Sequence, residues 1–319
     1  MIKEMFSNKK KETVELGFGA KNYNSSVRFL NKDGSVNIRR NVGGFLDRFD
    51  IYHWLISISW SRFFVLVLFS YIVANTLFAC IYYTIGSESF GGLSVAGSMD
   101  AFLQLFFFSA QTLTTVGYGH IYPATSLTGT VAAMESMLGL LGFAIATGIL
   151  YGRFSRPVAH IEYSDKAVVA PYRDMTAFMF RIANKTQNEL IETECQLVLA
   201  INNPETKRRD FNRLNLELPR VNFLPLTWTI VHPIDENSPM YGMTSEDLSN
   251  GDAEFIILIK SVNDTYFQTV YSRSSYKFSE VVWDAKFVPI PSKPNRDGSI
   301  SINVKDIHHY ERVETVLSV

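Results

Sequence analysis

Two long apolar segments with a shorter one between them limit most strongly what this chain can fold into. Residues 63–83 and 127–150 are each almost wholly apolar and long enough to cross a bilayer as a helix. Residues 99–113 are also apolar and aromatic, but this segment is too short to cross fully. The pattern predicts an outer membrane helix, a re-entrant half-helix and an inner membrane helix.

The hexapeptide after the short segment, TTVGYG at residues 114–119, suits a loop whose backbone carbonyls face an ion. Gly117 and Gly119 can adopt positive φ, so successive carbonyls can point the same way. Thr115 can add a hydroxyl oxygen, while Val116 and Tyr118 can brace the loop from behind. Five of these residues match TVGYG, the known filter sequence of potassium channels. A glycine-rich turn without an ion is the alternative, and the flanking membrane segments argue against it.

The number of such loops predicts an oligomer. Each chain has one filter-like loop, so four chains around one axis are expected to form a pore. In that arrangement K⁺ would bind to oxygens of Thr115, Val116, Gly117 and Tyr118. No other cofactor is indicated.

The distribution of charge predicts the orientation of the segments. The formal net charge is −1, so no basic excess indicates a nucleic-acid partner. Residues 63–152 contain no Lys or Arg, whereas basic residues stand on both sides of this stretch: Arg39, Arg40, Arg48 and Arg62 before it, Arg153 and Arg156 after it. The positive-inside rule then places both termini in the cytoplasm. The two cysteines, Cys80 and Cys195, fall in a span and in the cytoplasmic part, so no disulfide is expected.

Residues 47–60 predict an amphipathic helix on the inner membrane surface. Aromatic and aliphatic residues alternate there with Asp, Arg, His and Ser, and Trp54 and Trp60 suit the headgroup level. The alternative is that these residues are only the first turns of the outer membrane helix. Further towards the N-terminus, a short strand is predicted near residues 27–30, followed by a turn at residues 31–34.

The inner membrane segment contains two features of interest. Phe143, Thr147 and Tyr151 recur every four residues and share one helix face, which predicts a pore lining with a constriction at Tyr151. The alternative is that this face packs on the outer helix. Glu135 is the one acid within either span, and intramembrane acids are usually buried and functional, but the sequence does not identify its partner.

The chain after residue 157 predicts a β-sandwich. Short β-type runs alternate there with turn signals. The runs are residues 159–163, 177–180, 196–201, 226–231, 254–259, 267–271, 281–287 and 299–304. One short helix is predicted at residues 245–248, with Thr244 as its N-cap and Asp247 three residues on. No phosphate-binding loop, metal-ligand spacing or nucleophile motif stands out, so an enzyme is not indicated.

Several segments resemble one family closely. They are RFLNKDG at residues 28–34, RFSRP at 153–157, HPIDENSPMY at 232–241, RSSY at 273–276 and residues 283–289. Together with the filter they resemble the inward-rectifier potassium channels, in their bacterial KirBac-like branch. The resemblance implies a homotetramer in a bacterial inner membrane, with two membrane helices and an immunoglobulin-like cytoplasmic sandwich. The implied division is an N-terminal segment at 1–46, a slide helix at 47–60, a transmembrane pore domain at 61–156 and the sandwich at 157–319.

The resemblance also implies how permeation is regulated. Strongly rectifying relatives have a carboxylate or Asn in the inner helix where this chain has Phe143, so weak or moderate rectification is expected. Glu192 and Asp264 match acidic positions of the family's cytoplasmic pore and could attract Mg²⁺ or polyamines as blockers. Anionic lipid is expected at Arg62, Arg153 and Arg156. Eukaryotic members of the family bind phosphoinositides through a Lys-rich run after the inner helix, where this chain has only Arg153 and Arg156, so activation, inhibition and indifference to phosphoinositide all remain open.

Two other functions remain open from the sequence. One is a two-span potassium channel opened by a ligand on the sandwich. The other is a membrane-anchored sandwich that acts as a scaffold or receptor and does not conduct. The unbroken filter sequence argues against the second.

Overall fold

The computed structural model describes residues 28–37, 50–94, 97–186, 188–204, 208–224, 226–290, 293–294, 297 and 300–313. The chain divides into two compact units: one contains Asn41–Arg156, and the other contains Met1–Arg40 together with Pro157–Val319. We call the first the membrane unit and the second the β-unit, and describe each by itself. The domain boundaries expected after residues 46, 60 and 156 stay a prediction.

The described part of the membrane unit contains four helices. They are α1 (Ile51–Ser57), α2 (Trp60–Ile85), α3 (Ser98–Leu113) and α4 (Ser126–Phe154). Two short strands, β1 (Phe90–Gly91) and β2 (Tyr122–Pro123), pair antiparallel. Helices α2 and α4 have 26 and 29 residues and are apolar enough to span a bilayer, as the two long apolar segments predicted.

Two non-helical residues separate the amphipathic helix from the outer helix. The Asp50 side chain caps α1 by accepting from the backbone N–H of His53 at 2.9 Å. Ile58 and Ser59 are extended, with ψ of 156° and 153°, and α2 begins only at Trp60. The alternative that residues 47–60 are the first turns of the span is therefore wrong. Helix α1 is shorter than the segment predicted, and residues 47–49 lie outside the described residues.

The β-unit is a sandwich of two five-stranded sheets. One sheet has the order β11-β10-β6-β7 with β8 also paired to β6, and the other has the order β12-β4-β5-β3 with β9 also paired to β5. The first sheet contains β6 (Leu190–Asn203), β7 (Arg208–Leu214), β8 (Arg220–Phe223), β10 (Glu254–Asn263) and β11 (Gln268–Lys277). The second contains β3 (Ile161–Tyr163), β4 (Ala167–Tyr172), β5 (Met175–Asn184), β9 (Thr227–Ile234) and β12 (Val281–Trp283).

Side chains from both sheets fill the space between them. Phe178 of β5 stacks on Phe255 of β10 with ring centroids 4.2 Å apart, and both side chains are fully buried. The predicted sandwich is confirmed. Smaller elements complete the unit: α5 (Ser245–Asn250), β13 (Ala285–Phe287), β14 (Lys293–Pro294), β15 (Ile300–Ser301) and β16 (Tyr310–Arg312). Helix α5 has the predicted capping box between Thr244 and Asp247.

Some predicted strands differ from the observed ones. Leu30 forms only an isolated bridge with Val36 around the turn at residues 31–34, while Val27 lies outside the described residues. Residues 281–287 form two strands, because Asp284 between them has a positive φ of 54°. In the described part of the predicted strand at 299–304, Ile300–Ser301 form a strand and a 3₁₀ turn starts at Val304, while Ser299 lies outside the described residues. Strands β4, β7, β8, β14 and β16 were not predicted.

Candidate ion-conduction site

Helix α3 presents the candidate filter loop at its C-terminal end. Asp100 lies in its first turn, where the helix dipole favours an acid. Leu105 and Phe108 are buried, and the ring of Phe108 meets those of Tyr82 and Phe90 at 5.3 and 5.4 Å. The half-helix is therefore held against α2 by apolar packing. It ends at Leu113, as predicted.

The loop after α3 has alternating backbone geometry. Thr115, Gly117 and Gly119 have φ of 60°, 53° and 77°, so every second residue is left-handed. The carbonyl oxygen of Gln111 accepts from the backbone N–H groups of Val116 at 2.9 Å and Gly117 at 3.3 Å. Gln111, near the end of α3, thus contacts the loop through its backbone carbonyl.

The loop's own carbonyls are free of hydrogen bonds. Among the described residues, no group donates to the carbonyl oxygen of any residue from Thr115 to Gly119. The side chains of Val116 and Tyr118 are 54% and 79% exposed in the single chain. Unpaired backbone at membrane depth is tolerated only when it is buried in protein or lines a water-filled cavity. The carbonyls of this loop must therefore be covered by protein beyond one chain or face a water-filled cavity.

The partners of Glu135 are polar side chains from two other helices, α2 and α3. Its carboxyl oxygens lie 2.5 Å from the hydroxyl of Tyr82 in α2 and in hydrogen-bond contact with the hydroxyl of Ser109 in α3. Ser109 in turn lies 3.0 Å from the amide oxygen of Asn75 in α2. Sequence reasoning missed these partners, because α2 and α3 contain several other polar side chains and nothing in the sequence distinguishes Tyr82, Asn75 and Ser109 from them.

The predicted pore-lining residues lie on an unpacked face of α4. Phe143 and Tyr151 are each 73% exposed, and Thr147 is exposed as well. The alternative that this face packs on the outer helix is therefore wrong for the single chain. A different position on α4 makes the close approach: a Cβ at Gly139 would collide with the carbonyl oxygen of Leu113 at the end of α3. Glycine is required there for α4 to reach the half-helix.

The three arginines predicted to contact lipid have different environments. Arg62 and Arg156 are exposed. Arg153 donates to the carbonyl oxygens of Leu55 and Ile58, each at 2.6 Å, and its guanidinium lies 4.6 Å from the ring centroid of Trp60. Those carbonyls belong to the C-terminal end of α1, where helical carbonyls lack intrahelical partners. Arg153 thus joins α1 to α4, and lipid contact at all three arginines stays a prediction.

The two acidic residues of the predicted cytoplasmic pore lie at one end of the same sheet. Glu192 is in β6, and Asp264 directly follows β10, its antiparallel neighbour, with its N–H 3.2 Å from the carbonyl oxygen of Glu189. Glu192 forms an ion pair with Arg220 at 3.0 Å, and both side chains are more than half exposed. The charge of Glu192 is thus partly balanced within its own chain.

A buried carboxylate attaches the N-terminal turn to the β-unit. Glu254 is fully buried, and its oxygens accept from the backbone N–H groups of Phe29 at 2.9 Å and Leu30 at 3.0 Å. The Arg209 guanidinium lies 3.3 Å from the same carboxylate and stacks on the Phe29 ring. Burial lowers the pKa of Arg209. The sequence indicated none of these contacts.

Comparisons with known proteins agree with this architecture. A model described as the inward rectifier potassium channel transmembrane domain matches residues 30–157, and one described as the inward rectifier potassium channel C-terminal domain matches residues 161–319. Inward rectifier potassium channel Kirbac3.1 of Paramagnetospirillum magnetotacticum is 36% identical over 269 residues, which cover 82% of this chain and 89% of the relative.

More distant relatives come from animals. Inward rectifier potassium channel irk-1 of Caenorhabditis elegans is 26% identical over 314 residues, 90% of this chain and 57% of the relative. ATP-sensitive inward rectifier potassium channel 12 of Gallus gallus is 26% identical over 292 residues, 82% of this chain and 67% of the relative.

Two apolar spans, a half-helix ending in the TVGYG loop and a C-terminal β-sandwich define a two-span potassium channel with a β-domain. The family models and the identity to Kirbac3.1 identify the particular family. The chain belongs to the inward rectifier potassium channel family, in its bacterial KirBac-like branch.

Proposed function

We propose that the chain forms a K⁺-selective pore in which backbone oxygens of Thr115, Val116, Gly117 and Tyr118 replace the hydration shell of the ion. The observation that supports this most is the loop of alternating φ whose carbonyls accept no hydrogen bond from the described residues. Gly119 ends the loop in the conformation that glycine favours. Permeation is passive, and each ion is displaced by the next one.

The pore is a homotetramer. One chain supplies one filter loop, and Val116 and Tyr118 are exposed there although the loop follows a membrane half-helix. Three further copies would cover these side chains and arrange four loops around one axis. The lipid bilayer covers the outward faces of α2 and α4.

The gate is the constriction that four Tyr151 side chains form at the inner ends of the α4 helices. Phe143 and Thr147 line the wall above it. The exposure of this face in the single chain supports that placement. Because Arg153 joins α4 to α1, movement of the amphipathic helix along the membrane surface would displace the gate.

Rectification is weak or moderate. Phe143 offers no charge to hold Mg²⁺ or polyamines inside the membrane pore. Glu192 and Asp264 attract these blockers in the β-unit, but the ion pair with Arg220 weakens the field of Glu192. Block would therefore be shallow in its voltage dependence.

The channel resides in a bacterial inner membrane with both termini in the cytoplasm. Arg62 and Arg156 are the exposed basic residues next to the two spans, so they are the first contacts for anionic lipid. Arg153 contributes its charge at the same level. Regulation by lipid would act through the junction of α1 and α4.

A second candidate function is a channel of the same kind regulated by a small ligand on the β-unit. A cavity of about 570 Å³ lies there, lined mainly by Tyr172, Met179, Glu217 and Trp228. That volume lies within the range of small-molecule sites. A thermal-shift screen of the purified channel would reveal such a ligand.

Potassium-driven flux into liposomes tests the proposed function. Barium-sensitive uptake of K⁺ that excludes Na⁺ is expected of the purified protein. A closed gate would also prevent uptake, so Tyr151→Ala is measured in parallel. Uptake in neither protein would favour the non-conducting scaffold.

A further inference from the structure

Four buried polar side chains form a chain of contacts across the membrane unit. Tyr82, Glu135, Ser109 and Asn75 are each 0% exposed. Three oxygen–oxygen contacts link them in that order, at 2.5 Å between Tyr82 and Glu135, at hydrogen-bond contact between Glu135 and Ser109, and at 3.0 Å between Ser109 and Asn75. This series of contacts ends where the Asn75 amide nitrogen donates to the carbonyl oxygen of Tyr71 at 2.8 Å.

Counting protons defines the state of the carboxyl group. Each oxygen–oxygen contact needs one proton, so three contacts need three protons. The hydroxyls of Tyr82 and Ser109 supply two. The Asn75 amide cannot supply the third, because turning it over would bring its oxygen to 2.8 Å from the Tyr71 carbonyl oxygen. The remaining donor is the carboxyl group of Glu135, which must carry a proton.

The surroundings of Glu135 agree with that count. Residues 63–152 contain no Lys or Arg, so a carboxylate at this position would have no basic partner from its own spans. Burying an ionised carboxylate without a counter-charge is far more costly than burying the neutral acid. Among the described residues, the side chains that contact its carboxyl group are the two hydroxyls.

We infer that Glu135 is a neutral acid that fixes the position of the filter's half-helix, by receiving a hydrogen bond from Tyr82 and donating one to Ser109. All bonds then run in one direction, from Tyr82 through Glu135, Ser109 and Asn75 to Tyr71, which strengthens each of them. Ser109 lies on the same half-helix as Gln111, whose carbonyl holds Val116 and Gly117. Glu135 is a positioning residue, and this role rests on the proposed function of the loop.

Infrared difference spectroscopy of the purified tetramer tests the protonation state independently of conduction. The wild type minus Glu135→Gln difference at neutral pH is expected to show the C=O band of a protonated carboxylic acid. A carboxylate band in its place would overturn the inference. If Glu135→Gln does not assemble, wild-type protein with ¹³C-labelled glutamate gives the same answer, because the label shifts the acid band.

Selectivity measurements test the positioning role. The Gln side chain can accept from Tyr82 and donate to Ser109, so the K⁺/Na⁺ permeability ratio of Glu135→Gln should stay within about threefold of wild type. Glu135→Leu and Ser109→Ala interrupt this series of hydrogen bonds and should lower the K⁺/Na⁺ permeability ratio by about tenfold or more. Thr76→Val is the control, since among the described residues the Thr76 hydroxyl bonds only to the carbonyl of Ile72 in its own helix.

Each result of the selectivity series decides the inference. A ratio that falls as far in Glu135→Gln as in Glu135→Leu would show that the charge matters and would overturn it. An unchanged K⁺/Na⁺ permeability ratio in Ser109→Ala would overturn the positioning role. If the wild type is not selective, the proposed function fails, while the infrared result still decides the state of Glu135.

Discussion

The guanidinium of Arg153, near the end of the inner helix, donates a hydrogen bond of 2.6 Å to the carbonyl oxygen of Leu55 in the amphipathic helix. A second bond of the same length reaches Ile58, and the rings of Trp60 and Phe63 lie 4.6 and 4.8 Å from the guanidinium carbon. The planar guanidinium donates to two carbonyls in fixed directions while its face lies over the rings, whereas a lysine ammonium has no flat face to stack. This contact ties the amphipathic helix to the predicted gate.

Arg153→Lys is therefore expected to weaken the junction although the charge stays the same. The loss of the forked bonds and the stacking should cost about 1.5–3 kcal/mol. The unfolding temperature of the tetramer should fall, and the K⁺ flux into liposomes should change with it. Arg156→Lys is the matched control, because Arg156 is exposed. Equal behaviour of the two variants would mean that charge alone matters at Arg153, as it would for a lipid contact.

Glu254→Gln is expected to release the N-terminal turn. The substitution keeps the size of the side chain but removes the charge that holds Arg209 and the backbone of Phe29 and Leu30. Removing one partner of a buried ion pair typically costs about 3–5 kcal/mol. The thermal midpoint should fall, and the amide protons of Phe29 and Leu30 should exchange faster.

Glu236→Gln provides the comparison for this experiment, since Glu236 is an exposed acid of the same unit. If Glu254→Gln unfolded at the same temperature as Glu236→Gln and kept slow exchange, the turn would not depend on the buried carboxylate.

Acid is expected to destabilise the β-unit through His232. Its ring nitrogens lie 2.6 Å from the Asn215 carbonyl oxygen and 2.8 Å from the Ser238 hydroxyl. Burial lowers the pKa of His232, although Asn215 and the nearby charge of Asp235 oppose this effect. Because the folded pKa is lower than the unfolded one, this contribution is complete above about pH 6.5 and is lost as pH falls through the folded pKa.

Thermal midpoints measured from pH 7.5 down to pH 5 should therefore fall less steeply in His232→Gln than in the wild type. His309→Gln is the control because the His309 side chain is 67% exposed. A wild-type slope that survives in His232→Gln would assign the acid sensitivity to other groups.

The membrane unit was the most predictable part of the fold. Long apolar runs have one stable solution in lipid, and the half-helix bounds of 98–113 differ by one residue from those predicted. Strand β7 was missed because it contains Arg208, Arg209 and Arg213, a composition typical of a surface loop. Its Arg209 is buried because Glu254 and Asp252, both distant in sequence, neutralise its charge. Strand β4 was missed because Pro171 interrupts its apolar run.

The candidate site was only partly predictable, for a similar reason. Glycine spacing identifies the loop, because positive φ is a local requirement. Glu135 was singled out, but its partners Tyr82 and Ser109 lie 53 and 26 residues away, and no periodicity in the sequence marks them. Contacts of that kind depend on how three helices pack.

Phe143→Asp should convert weak block into strong block. A carboxylate on each of four inner helices would create a cation site within the membrane field, so that polyamine binding becomes voltage-dependent. Current–voltage relations with spermine on the cytoplasmic side would show steep rectification in the variant and shallow rectification in the wild type. Steep block in the wild type would contradict the role given to Phe143.

The most direct test of the central claim is the reversal potential of purified channels in a planar bilayer with K⁺ on one side and Na⁺ on the other. Strong K⁺ selectivity is expected in the wild type. Loss of selectivity or of current is expected in Gly117→Ala, because Gly117 has a φ of 53° and an alanine there costs about 1–2 kcal/mol. Equal permeability of the two ions in the wild type, or unchanged selectivity in Gly117→Ala, would contradict the assignment of residues 115–119 as the filter.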